Sequence, residues 1–133
     1  MKRRTRIGDE GTITAMVVIL ATTFVACAGL AVDGGRLVAA NIELGDHAEN
    51  AARAGAQEIS SFRGGTLKLD ESRAVRAAEE FLSASGVDGT ADVEDNMVIV
   101  EVREVVPMTL MRLFGVTNKT LSASRSATPT DGS

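Results

Sequence analysis

The residues of this chain best suited to chemistry include its single histidine, His47, which lies beside Asp46 and close to Glu49. An imidazole and two carboxylates are ligand types found around metal ions. A zinc site, however, needs two or more His or Cys residues at ligand spacing. Side chains at these spacings also do not converge on one point of a helix as residues i and i+4 do. We therefore predict that His47 lies on a solvated helix face, and we expect no metal and no other cofactor.

The single cysteine and the acidic pairs give no catalytic pattern either. A nucleophilic cysteine needs a base and an exposed pocket, whereas Cys27 lies within an apolar run and is expected to face lipid or another helix. The pairs Glu79-Glu80 and Asp92/Glu94 fall on predicted solvent faces, and calcium would need more converging oxygens. Phosphate-binding glycine loops and nucleophile elbows are missing from the sequence. We expect neither enzyme activity nor a small-molecule substrate.

The element that must position everything else is an uncharged apolar run from Thr12 to Val32. A bilayer core is about 30 Å thick and takes about 20 apolar residues to cross as a helix. Four of the first six residues are basic, and basic flanks stay in the cytoplasm. The pattern predicts a cytoplasmic arm over 1–11, a transmembrane helix over 12–32 and an extracytoplasmic domain. The chain would be a single-pass protein of the cell membrane.

A cleaved signal sequence is the alternative reading of the same run. Ala26-Cys27-Ala28 fits the small-x-small pattern of a signal peptidase site, and Phe24 to Cys27 loosely resembles a lipobox. Cleavage near Ala28 or Cys27 would release a secreted or lipid-anchored binding domain. The run is longer than most signal cores and helical sequence continues beyond it, which favours retention.

The residues after the run suffice for one small domain. They carry 10 basic and 16 acidic side chains, a net charge of −6, and this argues against nucleic acid as a partner. With one cysteine, no disulfide can form within the chain. We expect a domain that is marginal alone and is stabilised by partners.

Asp33 ends the apolar run, and we expect its carboxylate to pair with Arg36 at i+3 or to mark the membrane interface. Gly34 and Gly35 suggest a kink at this level. Helical periodicity then resumes from Arg36 to Ser60. Its apolar stripe, which packs either on the chain's own domain or against copies and partners, comprises Leu37, Leu44, Ala48, Ala51, Ala52, Gly55 and Ile59.

The rest of the chain predicts an α+β domain over 33–127, with a disordered tail over 128–133. A break from Ser61 to Leu69 precedes a second helix, which Asp70 caps at its start and Gly86 at its end. A small antiparallel sheet of about three strands follows. The predicted strands are 90–94, 97–106 and 119–127.

The order of these patterns resembles the TadE/TadG-like family, pseudopilin-like components of the tight-adherence, or Flp, pilus machinery. The basic start, the step Gly8-Asp9-Glu10-Gly11, the apolar helix ending in GLAVDGGRLVAA and the Ala-rich HAENAARAGAQEIS carry the likeness. The strand followed by VVPMTLMRLFG adds a looser match. The resemblance implies a pseudopilin-like fold, and a role in building or supporting a surface fibre or secretion machine, with other subunits and the membrane as partners. Self-association through the N-terminal helix is part of that expectation.

Processing is the point at which this sequence departs from pilin-type precursors. Such precursors are cut after a glycine and usually carry Glu five residues beyond the cut. Cutting after Gly8 places Ile13 there, and cutting after Gly11 places Met16 there. Because neither residue is acidic, we expect an uncut, membrane-anchored protein.

Overall fold

One long helix organises the fold. The computed structural model describes residues 9–63 and 66–130. Helix α1 spans Asp9–Ala56 without a break, and it therefore joins the predicted transmembrane segment to the distal domain. The interruption suggested at Gly34 and Gly35 is not found. Both glycines lie within α1, with open space beside them.

The distal domain adds a second helix and two antiparallel sheets, which confirms the α+β class. Strands β1 and β2 form a hairpin, and β3, β4 and β5 form a three-stranded sheet in that order. A 3₁₀ helix lies between β4 and β5. The bounds are β1 Ile59–Arg63, β2 Thr66–Leu69, α2 Glu71–Ser85, β3 Asp88–Glu94, β4 Met97–Pro107, the 3₁₀ helix Met111–Phe114 and β5 Asn118–Ala127.

The predicted break between Ser61 and Leu69 is the hairpin β1–β2, so that prediction was wrong. A two-stranded ribbon is marginal on its own, and a remote side chain stabilises this one. The Asn96 amide donates a 2.8 Å hydrogen bond to the Leu67 carbonyl and accepts one of 2.8 Å from the Leu69 N–H. Asp95 and Asn96 form the tight β3–β4 turn, both with positive φ, as two-residue hairpins require.

Both predicted caps of α2 are confirmed. The Asp70 side chain accepts a hydrogen bond from the Arg73 N–H at the start of the helix. Gly86 ends the helix in the left-handed conformation, with φ of 69°. Local side-chain and backbone preferences therefore define this element.

The core lies between the C-terminal half of α1, helix α2 and the central strand β4. Val98, Val100 and Val102 point from β4 into it and are fully buried. Gly55 of α1 lies so close to α2 that an added Cβ would be 2.7 Å from the Ala74 carbonyl oxygen. Small residues on both helices allow this approach, and valine side chains fill the space above the sheet.

Candidate functional site

The most specific polar arrangement in the structure joins α1 to the segment after β4. Asp33 is only 2% exposed. One carboxylate oxygen accepts a 3.0 Å hydrogen bond from the Thr109 N–H, and the other accepts bonds of 2.9 Å from Leu110 and 2.7 Å from Met111. The carboxylate thus binds three consecutive backbone donors at the start of the 3₁₀ helix. We call this arrangement the Asp33 clamp.

The clamp stabilises the ionised form of Asp33. The Met111 N–H contributes most to lowering the pKa of this carboxyl group. Burial opposes this effect, while the Thr109 and Leu110 N–H groups and the nearby positive charge of Arg36 add to it. The net result is a pKa below the ordinary value, because the hydrogen bonds serve the charged form.

Arg36 belongs to the same junction. Its guanidinium donates a hydrogen bond to the Thr109 hydroxyl, so the i+3 neighbour of Asp33 binds the same segment. Asp33 accepts a hydrogen bond from the Thr109 N–H, and Arg36 donates one to the Thr109 hydroxyl. The sequence did not predict this arrangement. Their position at the membrane interface stays a prediction.

The segment held by the clamp also lies against the upper part of the apolar run. Gly29 is buried, and an added Cβ there would be 3.0 Å from the Leu110 Cβ. Gly29 lies one turn, about 6 Å, before Asp33 along the helix. The distal domain therefore packs against the last turn of the predicted membrane span.

The predicted small-residue stripe packs within the chain's own domain. Leu44, Ala48, Ala51, Ala52 and Gly55 are buried against α2 and the sheet. Leu37 is half-buried. Ile59 lies beyond the helix, at the start of β1, and is exposed. Of the two arrangements left open by the sequence, the structure has the stripe in the internal core.

Among the described residues, no other element covers the opposite face of α1. Val38 and Ile42, one turn apart, are 62% and 60% exposed. At 100° per residue, Ala31 and Gly35 lie on the same face, and both are exposed. This face, Ala31, Gly35, Val38 and Ile42, is called the outer face below. It continues the apolar surface of the predicted span beyond Asp33.

His47 is half-buried on α1, and its Nε2 lies 4.0 Å from Oε1 of Glu43. The two residues line a surface groove together with Arg103 and Glu104 of β4. Within the described part of the chain, no three His, Cys, Asp or Glu residues are grouped closely enough to hold a metal ion. The arrangement is a surface contact between an imidazole and a carboxylate beside a groove.

The predicted processing positions lie near the start of α1. Gly8 falls outside the described residues. Gly11 lies in the helix, exposed and with open space around it. Whether the chain is cut after either glycine stays a prediction of the sequence.

Sequence reasoning missed the partners of Asp33. Thr109, Leu110 and Met111 contribute backbone N–H groups, which the pattern of side chains in a sequence does not reveal. One signal was present: Pro107 ends a strand, and a short apolar segment ending in Gly115 follows it. Such a segment begins with unpaired N–H groups, and a buried acid elsewhere in the chain is a suitable acceptor for them.

By length and composition, α1 can cross a membrane. Its most apolar 18-residue window has a mean hydropathy of 2.4, and 6% of that window is buried within the chain. The helix could serve as a membrane span or as a signal anchor, and both are consistent with a membrane-associated component.

The comparisons with known proteins agree with this N-terminal pattern. Searches of curated proteins and of solved structures found no match. A family model, that of the Flp pilus-assembly TadE/G-like proteins, matches residues 11–58. These residues include nearly all of α1, with Gly29, Asp33 and the outer face. The predicted resemblance is thereby confirmed over these residues: the long helix of this chain is similar to that of the TadE/G-like proteins, a family associated with Flp pilus assembly.

Proposed function

We propose that this chain is a membrane-anchored, pseudopilin-like or accessory subunit of a Flp-type pilus or a related secretion machine. It acts by packing its long helix against other subunits and performs no catalysis. The outer face of α1 carries this proposal, since it leaves large apolar side chains exposed beyond the predicted span.

Exposure of the apolar side chains on the outer face to water is unfavourable, and a partner that buried them would remove this cost. Val38 and Ile42 lie above Asp33, in the part of the helix expected to be outside the lipid. Isolated exposed apolar residues are common on soluble proteins. Here the two residues are one turn apart and continue an apolar face that begins within the span. A second helix packed along this face would bury both side chains, and Ala31 and Gly35 would allow close approach of its backbone.

The internal position of the small-residue stripe supports the same assignment. Because α2 and the sheet cover the stripe, the distal domain is fixed to one side of α1. The other side is left for subunits. A rigid helix with its domain on one face and an apolar surface on the other suits side-by-side assembly.

Retention of the helix is the second part of the proposal. The basic arm before the span sets its N-terminus in the cytoplasm, and the distal domain lies outside the cell membrane. α1 is continuous through Ala26, Cys27 and Ala28, and the domain packs against Gly29. A cut near Ala28 would remove most of the apolar run and leave this contact at the chain end.

Cysteine crosslinking in cells tests the packing. In a Cys27→Ser background, Ile42→Cys is expected to form a disulfide-linked dimer or a crosslink to another membrane subunit under mild oxidation. Glu43→Cys is the matched control, because Glu43 is exposed on the adjoining polar side of the same helical turn. Crosslinking at neither position, or equally at both, would contradict packing through the outer face.

Intact mass of the native protein separates this proposal from a released binding domain. A retained helix gives a chain that still contains residues 12–32. A mature N-terminus at Gly29, or a lipid attached to Cys27, would instead establish the secreted or lipid-anchored alternative.

A further inference from the structure

The segment between β4 and β5 is placed where it can touch the membrane. Its residue Leu110 packs against Gly29, within the predicted span, and the Asp33 clamp fixes the start of its 3₁₀ helix. One turn earlier than Gly29, Ala26 is half-buried, while its neighbours Val25 and Cys27 are exposed. The segment therefore lies beside the outermost turns of the apolar run.

The backbone of this segment is suited to an environment with little water. Each unpaired N–H group is costly at the edge of the hydrocarbon. Met108 donates to the Thr117 carbonyl, and Thr109, Leu110 and Met111 donate to Asp33. Further along, the N–H groups of Leu113, Gly115 and Val116 donate to carbonyls inside the segment. Seven backbone donors are thus satisfied without water, three of them by the clamp.

The side chains at the tip are apolar and uncovered. Leu113 is 74% exposed, Phe114 51% and Val116 42%. Three neighbouring apolar side chains on a loop form a patch rather than scattered exposure, and such patches mark contact surfaces. The 3₁₀ helix that carries Leu113 and Phe114 lies against α1.

The positive charge of the segment is complementary to the negative phosphates of lipid headgroups. The stretch 105–119 contains Arg112 and Lys119 and no acidic residue, although the chain after the apolar run is net −6. At the Asp33 clamp, the positive charge of Arg36 offsets the negative charge of the ionised Asp33 carboxylate. Basic side chains around an apolar tip are the composition of elements that lie in the membrane interface.

We propose that the segment 110–116 is a membrane-surface anchor whose Leu113, Phe114 and Val116 side chains enter the outer leaflet beside α1. Its occupant is the lipid bilayer, with Arg112 at the level of the phosphates. The anchor fixes the tilt and rotation of the distal domain, which a single helix leaves free, and presents the outer face in one orientation. This inference rests on the membrane anchoring in the proposed function.

Depth-dependent fluorescence quenching on the full chain tests the anchor. The protein is reconstituted in nanodiscs of phosphatidylethanolamine and phosphatidylglycerol in a Cys27→Ser background. An environment-sensitive fluorophore is attached to Leu113→Cys, and quenching by nitroxide-labelled lipids is compared with quenching by aqueous iodide. Ser126→Cys is the control for a label in water. Ser126 lies near the end of β5, which is beside Arg53 of α1. Arg53 is about 30 Å from Asp33 along the helix axis. Val18→Cys is the control inside the span.

The anchor predicts lipid quenching at Leu113→Cys from nitroxides placed near the headgroup, and iodide quenching several-fold weaker than at Ser126→Cys. Iodide quenching as strong as at Ser126→Cys, with Val18→Cys still quenched by lipid, would overturn the anchor and leave the transmembrane helix intact. Lipid quenching absent at both Leu113→Cys and Val18→Cys would overturn the membrane anchoring itself. A Leu113→Cys label shielded from both quenchers would show that the patch is covered by this chain or by a second copy of it, and would also overturn the inference.

Discussion

The carboxylate of Asp33 accepts a 2.7 Å hydrogen bond from the backbone N–H of Met111, across 78 positions of the sequence. This bond and its two neighbours attach the β4–β5 segment to the helix at the end of the apolar run. The distal domain is therefore joined to α1 twice: by its core around Ala48 and Gly55, and by the clamp at Asp33. Two attachments along one helix restrict rotation of the domain about it.

The clamp predicts a local effect of Asp33→Asn. The variant has nearly the same shape but loses the charge, and its amide nitrogen cannot accept a hydrogen bond. Charge-assisted hydrogen bonds are about twice as strong as neutral ones. We expect amide hydrogen exchange at Thr109, Leu110 and Met111 to accelerate about tenfold.

Amides in β4 and α2 serve as the internal control, since the clamp does not contact them. Their exchange is expected to stay within about twofold of the wild type. Acceleration throughout the domain would show that Asp33 stabilises the whole fold, and no change at Thr109 to Met111 would contradict the clamp.

The lowered pKa of Asp33 predicts sensitivity to acid. A carboxyl group whose pKa is lower in the folded state stabilises that state above its unfolded pKa, and this contribution is lost as the pH falls through the folded pKa. The clamp should hence be intact at neutral pH and weaken below about pH 4.

Asp70 also has a lowered pKa, through the Arg73 N–H and the Ser72 hydroxyl, so wild-type unfolding alone cannot isolate the clamp. The relevant quantity is the stability difference between the wild type and Asp33→Asn in detergent, measured from pH 7 to pH 3. It should shrink toward zero in acid. A difference independent of pH would mean that the charge of Asp33 does not matter.

Close packing between α1 and α2 predicts a large effect of Gly55→Val. The added side chain would meet the Ala74 carbonyl oxygen and Val98, and overpacking of this kind costs about 1–3 kcal/mol. Denaturant unfolding of the full chain in detergent measures it. Gly34→Val is the matched control, because no described atom beyond the neighbouring helix backbone lies within 4 Å of its Cβ position. Equal stability of the two variants would contradict the close helix contact.

Local patterns predicted most of the elements. The three strands of the main sheet and the caps Asp70 and Gly86 are confirmed. Each depends on residues that are near neighbours in sequence, such as a capping side chain or alternating valines. The same reasoning identified the stripe from Leu44 to Gly55 as apolar, but periodicity alone cannot tell whether a face is covered by the chain or by a partner.

The features that the sequence did not predict depend on distant contacts. Asp33 is recognisable as an acid at the end of an apolar run, but its donors are backbone atoms 76 to 78 positions away. The hairpin β1–β2 was missed for a similar reason. Its strands are short, and the side chain that stabilises it comes from a turn 27 to 29 positions later.

Asn96 gives the last prediction, because it combines two roles that substitution can separate. Its φ of 64° favours glycine or asparagine, and its side chain makes two hydrogen bonds to β2. Asn96→Ala loses both features, and we expect a loss of about 2–3 kcal/mol in the free energy of unfolding. Asn96→Gly keeps the turn and loses only the hydrogen bonds, for which about 1 kcal/mol is expected.

The hairpin itself provides the second measurement. If Asn96 stabilises β1–β2, both variants should increase protease cleavage between Ile59 and Leu69 while leaving α2 protected. Asn96→Asp is informative as well, since a carboxylate can accept from the Leu69 N–H but cannot donate to the Leu67 carbonyl. Cleavage unchanged in all three variants would show that the hairpin is stable without the Asn96 side chain.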